Sequence, residues 1–251
     1  MISVTIICKD EERNIAECLE SVKWADEIIV VDAFSDDLTA SIARKYTDKV
    51  FLKKWDGFSK QRAFALSKAN CEWVFPVDAD ERCTPQLRDE ILRVTAEQNN
   101  GFSGYRIPRR NFFLGREIKH SGWNPDFQMR LFKKCSARVS QINVHEGYEV
   151  DGKTGTLKIG LLHYTVTSVG GYTSRIIRYA SLQAIEKAEK GKIGFYDLFF
   201  RPVSSFLRQF FVKQGYLDGI SGLMITFFDV ITNSLTYMKA WEIQNLRKRN
   251  P

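Results

Sequence analysis

The N-terminal part of the chain alternates apolar runs with amphipathic stretches. Ser3 to Cys8 is a short β-branched run, and Ile15, Leu19 and Val22 follow at helical spacing. Glu27 to Asp32 is a continuous apolar strand, and Asp36-Asp37 suit a helix start before Leu38 to Tyr46. Asp48 to Leu52 predicts a third strand, Ser59 to Ala69 a third helix and Trp73 to Val77 a fourth strand, with Thr84-Pro85 opening another helix. Strands alternating with helices at this spacing predict an α/β fold, a mostly parallel sheet with flanking helices. Ligands of such sheets sit beyond the carboxyl ends of the strands. Lys9 to Glu12, Asp32 and Asp78 to Glu81 should therefore gather at one edge.

From about Tyr105 to Tyr164 the pattern shortens into alternating segments broken by Gly and Pro, such as Gly104 to Pro108, Phe127 to Phe132 and Thr156 to Leu162. These predict added strands and loops over the mouth of the site. Ser174 to Glu189 predicts an amphipathic helix; seven aromatic residues from Phe195 to Phe211 then surround Arg201 and Arg208, and apolar positions recur at helical intervals from Ile220 to Met238. Asp218 and Asp229 interrupt the best stretch before it reaches the roughly 18 apolar residues of a spanning helix. The expected organisation is a catalytic domain over 1–165, with a nucleotide half to about 100 and an acceptor half beyond it, then a C-terminal helical extension over 166–251 that associates with a membrane or another subunit.

A length of 251 residues with 44% hydrophobic content excludes disordered and fibrous classes. The five cysteines are odd in number and scattered, which predicts buried thiols in a reducing compartment. No basic leader precedes Ile2, so the expected location is cytoplasmic. From Gly170 onward 12 Lys or Arg face 6 Asp or Glu, placing +6 of the net +7 there. That end should meet something anionic. No nucleic-acid-binding motif accompanies the charge, whereas aromatic residues do, so the expected partner is an anionic membrane surface on the inner face of the cytoplasmic membrane. A homo-oligomer built on the same apolar faces is the alternative.

Val77-Asp78-Ala79-Asp80-Glu81 places two carboxylates two residues apart after a buried strand. Carboxylates at a strand end can hold a hard divalent cation, Mg2+ or Mn2+, against a diphosphate. Asp32 is a candidate to accept from a ring N–H of a uracil-type base, and Lys60 with Arg62 form a cationic pair at a helix start.

Taken in order, Thr5 to Ile15, Val31 to Asp37, Lys60-Gln61-Arg62 and Val77 to Asp80 resemble family 2 glycosyltransferases of the GT-A (Rossmann-like) fold, most nearly the branch of lipopolysaccharide core β-1,4-glucosyltransferases. The likeness extends to Asn124 to Phe132, Val144-His145-Glu146 and Gly215 to Gly219. It implies a nucleotide-sugar donor held by Cys8, Lys9, Glu11, Asp32, Lys60, Arg62, Asp78 and Asp80, a lipid-linked glycan acceptor, inversion by direct displacement, and a metal held chiefly by Asp80. Many members carry a Glu-Asp pair as base; this chain has none between Asp80 and the C-terminal helices, and Glu146 or Asp126 is the substitute, with Glu146 preferred. Trp123, Arg130 and His145 are candidate acceptor contacts, and His120 and His163 are expected to be structural. Two other classes compete: a nucleotidyltransferase, which the acidic, glycine-free Lys9 to Arg13 disfavours, and a non-catalytic scaffold that works through its basic aromatic tail.

Overall fold

The apolar runs near the N-terminus form the centre of a sheet. The computed structural model describes residues 1–97, 101–140 and 147–249, with side chains to 246. The chain divides into two compact units, 1–110 with 126–163 and 111–125 with 164–251. In the first, β1 (Ile2–Cys8), α1 (Ile15–Val22), β2 (Glu27–Asp32), α2 (Thr39–Ala43), β3 (Val50–Leu52), α3 (Phe58–Lys68) and β4 (Trp73–Asp78) alternate as expected. There follow β5 (Glu81–Arg82), α4 (Pro85–Ala96), β6 (Gly104–Phe113), β7 (Arg116–Glu117), β8 (Phe127–Lys133), β9 (Ala137–Val139), β10 (Tyr148–Val150), β11 (Thr154–Thr156) and β12 (Leu161–Val166). The helices α5 (Val169–Lys190), α6 (Phe195–Leu207) and α7 (Gly219–Arg249) complete the second unit. The chain changes unit within β6 and again within β12.

Strand order is β3-β2-β1-β4-β8-β6-β12-β5. β1 pairs in parallel with β2 and β4, and β2 with β3, while β8 runs antiparallel to β4 and β6. The parallel centre is apolar because both its faces are covered. On one side α1 contributes Ile15, Cys18, Leu19 and Val22, all fully buried, to a cluster that includes Ile6, Phe75 and Ile91. Each such side chain contributes about 1.5–3 kcal/mol through lost apolar exposure. α4 begins where sequence expects: Pro85 occupies its first turn, and the Thr84 hydroxyl accepts from the Leu87 N–H at 3.2 Å. Four cysteines are buried free thiols; the fifth, Cys135, is exposed, because it lies on a one-turn connection between β8 and β9 instead of a core face.

Glu27 staples the amino ends of the central strands. It is buried and accepts from Ser3 Oγ, Lys49 Nζ, Asn70 N–H (2.8 Å) and Asn70 Nδ2 (2.7 Å). Burial would raise its pKa, but these donors outweigh burial and lower it from 4.5 to about 2. A folded-state value below the unfolded one means the stabilisation is complete above 4.5 and disappears as pH falls towards 2. Glu27→Gln should cost roughly 2 kcal/mol at neutral pH and flatten the acid limb of stability, as read by urea unfolding across that range.

In the second unit Phe113, Ile118, Val166 and Ile225 share a small core. Buried Asp218 accepts from the backbone N–H of Lys119 (3.1 Å) and His120, and from Ser121 Oγ (2.8 Å), so it binds 111–125 into this unit. Asp229 accepts from Ser205 Oγ on α6. Both acids that interrupt the apolar pattern thus have partners within the same unit. Among the described residues no helix is long and apolar enough to cross a membrane.

Candidate active site

Register aligns the carboxyl ends of three parallel strands, with Cys8 opposite Asp32 and Ile7 opposite Asp78. The loops beyond β1 and β2 are laced together. Asp10 N–H donates to Ser35 Oγ (2.9 Å), Asp36 N–H to Asp10 Oδ1 (2.9 Å) and Glu11 N–H to Thr39 Oγ1 (2.7 Å). Asp32 is buried behind them and accepts from Ser35 N–H at 2.9 Å and from Ser35 Oγ. The Cys8 thiol points at the same carboxylate, 3.7 Å away; burial, then the Asp32 charge, pushes it far above the usual thiol range, so it stays protonated. Asp10 and Phe34 both hold left-handed backbone, at φ 55° and 56°. The bulky Phe34 pays on the order of 1 kcal/mol for this geometry, which the surrounding hydrogen bonds impose.

Behind the strand ends lies a chain of alternating charges. Arg130, on β8 and buried, donates through Nη2 to Asp78 Oδ2 and to Glu81 Oε1 (2.8 Å). Arg109 on β6 lies 3.6 Å from Glu81 and grips Asp126 through Nε (2.8 Å) and Nη2 (2.7 Å), while Gln128 donates to the other Asp126 oxygen. Arg62 stands 3.9 Å from Asp78. Burial opposes ionisation of Asp78, but Arg130 and Arg62 outweigh it and hold that carboxyl well below the usual range. Glu81 goes the other way: burial raises it, Arg130 only partly compensating, and the neighbouring Asp78 charge adds to the rise.

Asp80, at the turn after β4, is more open, with its side chain 26% exposed. His163 Nε2 approaches its Oδ2 to 3.4 Å. Pairing of β12 with β5, in which His163 faces Glu81, brings the imidazole there. Glu11 lies close enough for its pKa to be raised, chiefly by burial and in part by the Asp80 charge. Asp80 supplies a hard oxygen and His163 an imidazole nitrogen; Mn2+ would accept both, whereas Mg2+ would take the Asp80 oxygen alone, with diphosphate oxygens and water completing either shell. No cluster of three or more His, Cys, Asp or Glu side chains suited to a metal occurs among the described residues.

Of the residues singled out by sequence, Cys8, Glu11, Asp32, Arg62, Asp78 and Asp80 belong to these linked strand ends, and half-exposed Lys9 lies 4.0 Å from Asp36. Lys60 is turned to the exposed face of α3, where it pairs with Asp56 at 2.6 Å. Buried Gln61 between them donates to Lys53 O at 2.9 Å, and its Oε1 has no partner among the described residues. Arg130 and Asp126 are both taken up by ion pairs. Trp123 belongs to the second unit, edge-on to Phe113 with ring centroids 6.1 Å apart. His145 and Glu146 lie outside the described residues. His120 pairs with Asp218 at 3.3 Å, as a structural histidine would, and His163, also expected to be structural, lies beside Asp80 and is thereby a further candidate for the site. No local signal in Leu161 to Val166 distinguishes it; only the pairing of strands some 80 positions apart does.

The fold is that of an α/β protein whose candidate site lies at the carboxyl edge of a parallel sheet. Residues 3–149 match the family described as glycosyl transferase family 2, and the chain belongs to that family; it is a glycosyltransferase. It is 31% identical to the lipopolysaccharide core biosynthesis glycosyltransferase LpsC of Rhizobium meliloti (strain 1021), over 99% of this chain and 94% of that protein. An uncharacterized glycosyltransferase of Rickettsia typhi (strain ATCC VR-144 / Wilmington) is also 31% identical, over 99% of this chain and 89% of its own. Among solved structures, the mannosyltransferase PcManGT from Pyrobaculum calidifontis, in complex with GDP-Man and Mn2+, shares the fold at a TM-score of 0.50 and 16% identity, covering 99% of this chain and 88% of that one.

Proposed function

We propose that the chain transfers a sugar from a nucleoside diphosphate donor of the UDP-sugar class to a lipid-linked glycan of the lipopolysaccharide-core type, with inversion by direct displacement. The acceptor class rests on the full-length likeness to LpsC. The observation that carries the donor reading is the succession of buried Asp32 and open Asp80 at neighbouring strand ends, with His163 3.4 Å from Asp80. Asp32 accepts from the base edge, and Arg62 lies near the diphosphate. Asp80, with His163 beside it, would hold a divalent cation, which would supply charge neutralisation for the departing diphosphate. Asp78, with Arg130 and Glu81 behind it, fixes the strand end from which Asp80 projects. The enzyme works from the cytoplasmic side as a peripheral protein on the inner membrane face, its basic aromatic helices against anionic lipid.

Glu146 is the general base. The Asp126 carboxylate is committed to Arg109 and Gln128, which supports this choice over Asp126. Glu146→Gln should lower kcat by about 10²-fold or more with donor Kd nearly unchanged, because the group acts only on the acceptor proton. Asp126→Asn should instead lower thermal stability while sparing most of kcat. The reverse pattern would make Asp126 the base. Donor and acceptor are tested by nucleotide release: UDP-sugars should turn over when a lipid-linked core acceptor is added. Turnover of GDP- or CMP-sugars alone would overturn the donor class.

A further inference from the structure

Two aromatic side chains, Trp55 and Phe58, stand where β3 passes into α3, on the sheet edge that carries the strand-end carboxylates. Their loop is tied to that edge. Leu52 pairs in register with Asp32, and the next residue, Lys53, donates its N–H to Asp32 O at 2.9 Å. Buried Gln61 donates through Nε2 to Lys53 O at 2.9 Å, and its backbone N–H donates to Gly57 O at 3.2 Å. Residues 53–57 therefore leave β3 beside Asp32 and are held against the first turn of α3.

From there contacts run on to the carboxylates. Trp55 and Phe58 meet edge to face, with ring centroids 4.7 Å apart at 87°. One helical turn beyond Phe58, the Arg62 guanidinium lies 5.5 Å from the centroid of that ring and 3.9 Å from Asp78. An edge-to-face pair leaves each ring at least one face that the other does not cover. Arg62 stands over Phe58, so Trp55 is the ring with a face to offer. Among the described residues neither ring belongs to the apolar clusters that cover the sheet, and they are 40% and 39% exposed. Core packing does not account for them.

Strand order decides which part of a donor reaches them. In the order β3-β2-β1-β4, Asp80 follows β4, Asp32 ends β2 two strands away, and Trp55 lies beyond β3, on the far side of Asp32. A nucleotide sugar laid along this edge with its diphosphate at Asp80 and its base at Asp32 brings the base, and not the sugar, to the β3–α3 loop. Every nucleobase has a π-face, so an aromatic ring can hold it whatever hydrogen bonds its edge makes. We infer that Trp55, braced by Phe58, is the platform on which the nucleobase of the donor stacks. This rests on the nucleotide-donor reading above and adds a second recognition element to it: Asp32 meets the edge of the base, Trp55 its face.

The test is calorimetric titration of the full chain with UDP and with inorganic pyrophosphate, which has the diphosphate but no base, both in the presence of Mn2+. Wild type is compared with Trp55→Ala, with Trp55→Phe, and with Trp241→Ala, which removes a tryptophan 48% exposed on α7. Trp55→Ala should bind UDP about tenfold or more weakly, Trp55→Phe within about threefold of wild type, and Trp241→Ala as wild type does. Pyrophosphate should bind all four proteins alike, and circular dichroism should report the same fold. Unchanged UDP affinity in Trp55→Ala would overturn the platform while leaving the donor reading standing. Equal losses for UDP and pyrophosphate would make the ring a prop for Arg62 and overturn stacking. A raised KM for acceptor with unchanged UDP affinity would place the ring under an acceptor sugar and overturn the assignment to the base. Failure of the wild type to bind UDP at all would overturn the donor reading itself.

Discussion

Asp80→Ala is expected to lose sugar transfer by on the order of 10³-fold or more while the protein stays folded. The side chain lies in the turn after β4, partly open, with His163 3.4 Å away. It fills no core, so its removal leaves the packing of α1 and α4 on the sheet unchanged. Circular dichroism and the thermal midpoint should match wild type. His163→Ala should weaken metal-dependent donor binding in the same direction, by a smaller factor, since one donor remains. An Asp80→Ala protein with full activity would remove the metal reading, and one that fails to fold would make Asp80 a structural residue.

Arg130→Met should be the most destabilising of the site substitutions, by about 3–5 kcal/mol. Arg130 is the cation between Asp78 and Glu81, all three lying behind the strand ends, and Glu81 is fully buried. Burial disfavours its charge, but the two carboxylates outweigh that and keep it protonated at any accessible pH. Without it Asp78 and Glu81 face one another, with Arg62 at 3.9 Å and Arg109 at 3.6 Å as the nearest remaining guanidinium groups. For a chain of this size the loss corresponds to a fall in Tm of roughly 10 °C. A variant with unchanged Tm but reduced affinity for acceptor or donor would show that Arg130 serves the ligand instead.

The two kinds of residue explain what sequence could reveal. β1, β2, β4, α1 and α4 were legible because period-2 and period-3.6 patterns, a Thr-Pro start and continuous apolar runs are local signals. Local signals also located Asp32, Asp78 and Asp80, which simply follow those strands. His163 was not legible, since its meaning depends on which strand β12 pairs with. Arg130 and Asp126 carry the same limitation: a charged residue in an alternating segment looks alike whether it meets a ligand or, as here, a buried or half-buried ion pair. The association of 111–125 with the helices depends on Asp218, about a hundred positions away, accepting from its backbone.

The most direct test of the account is calorimetric binding of UDP-sugars to the wild-type chain with Mn2+ or Mg2+, with EDTA, and to Asp80→Ala with metal. The account predicts binding that requires the cation, is lost in EDTA, returns when metal is restored, and is weakened at least about tenfold in the variant. Binding of equal strength in all three conditions would contradict a metal held at Asp80, and the absence of any nucleotide-sugar binding would contradict the donor assignment itself.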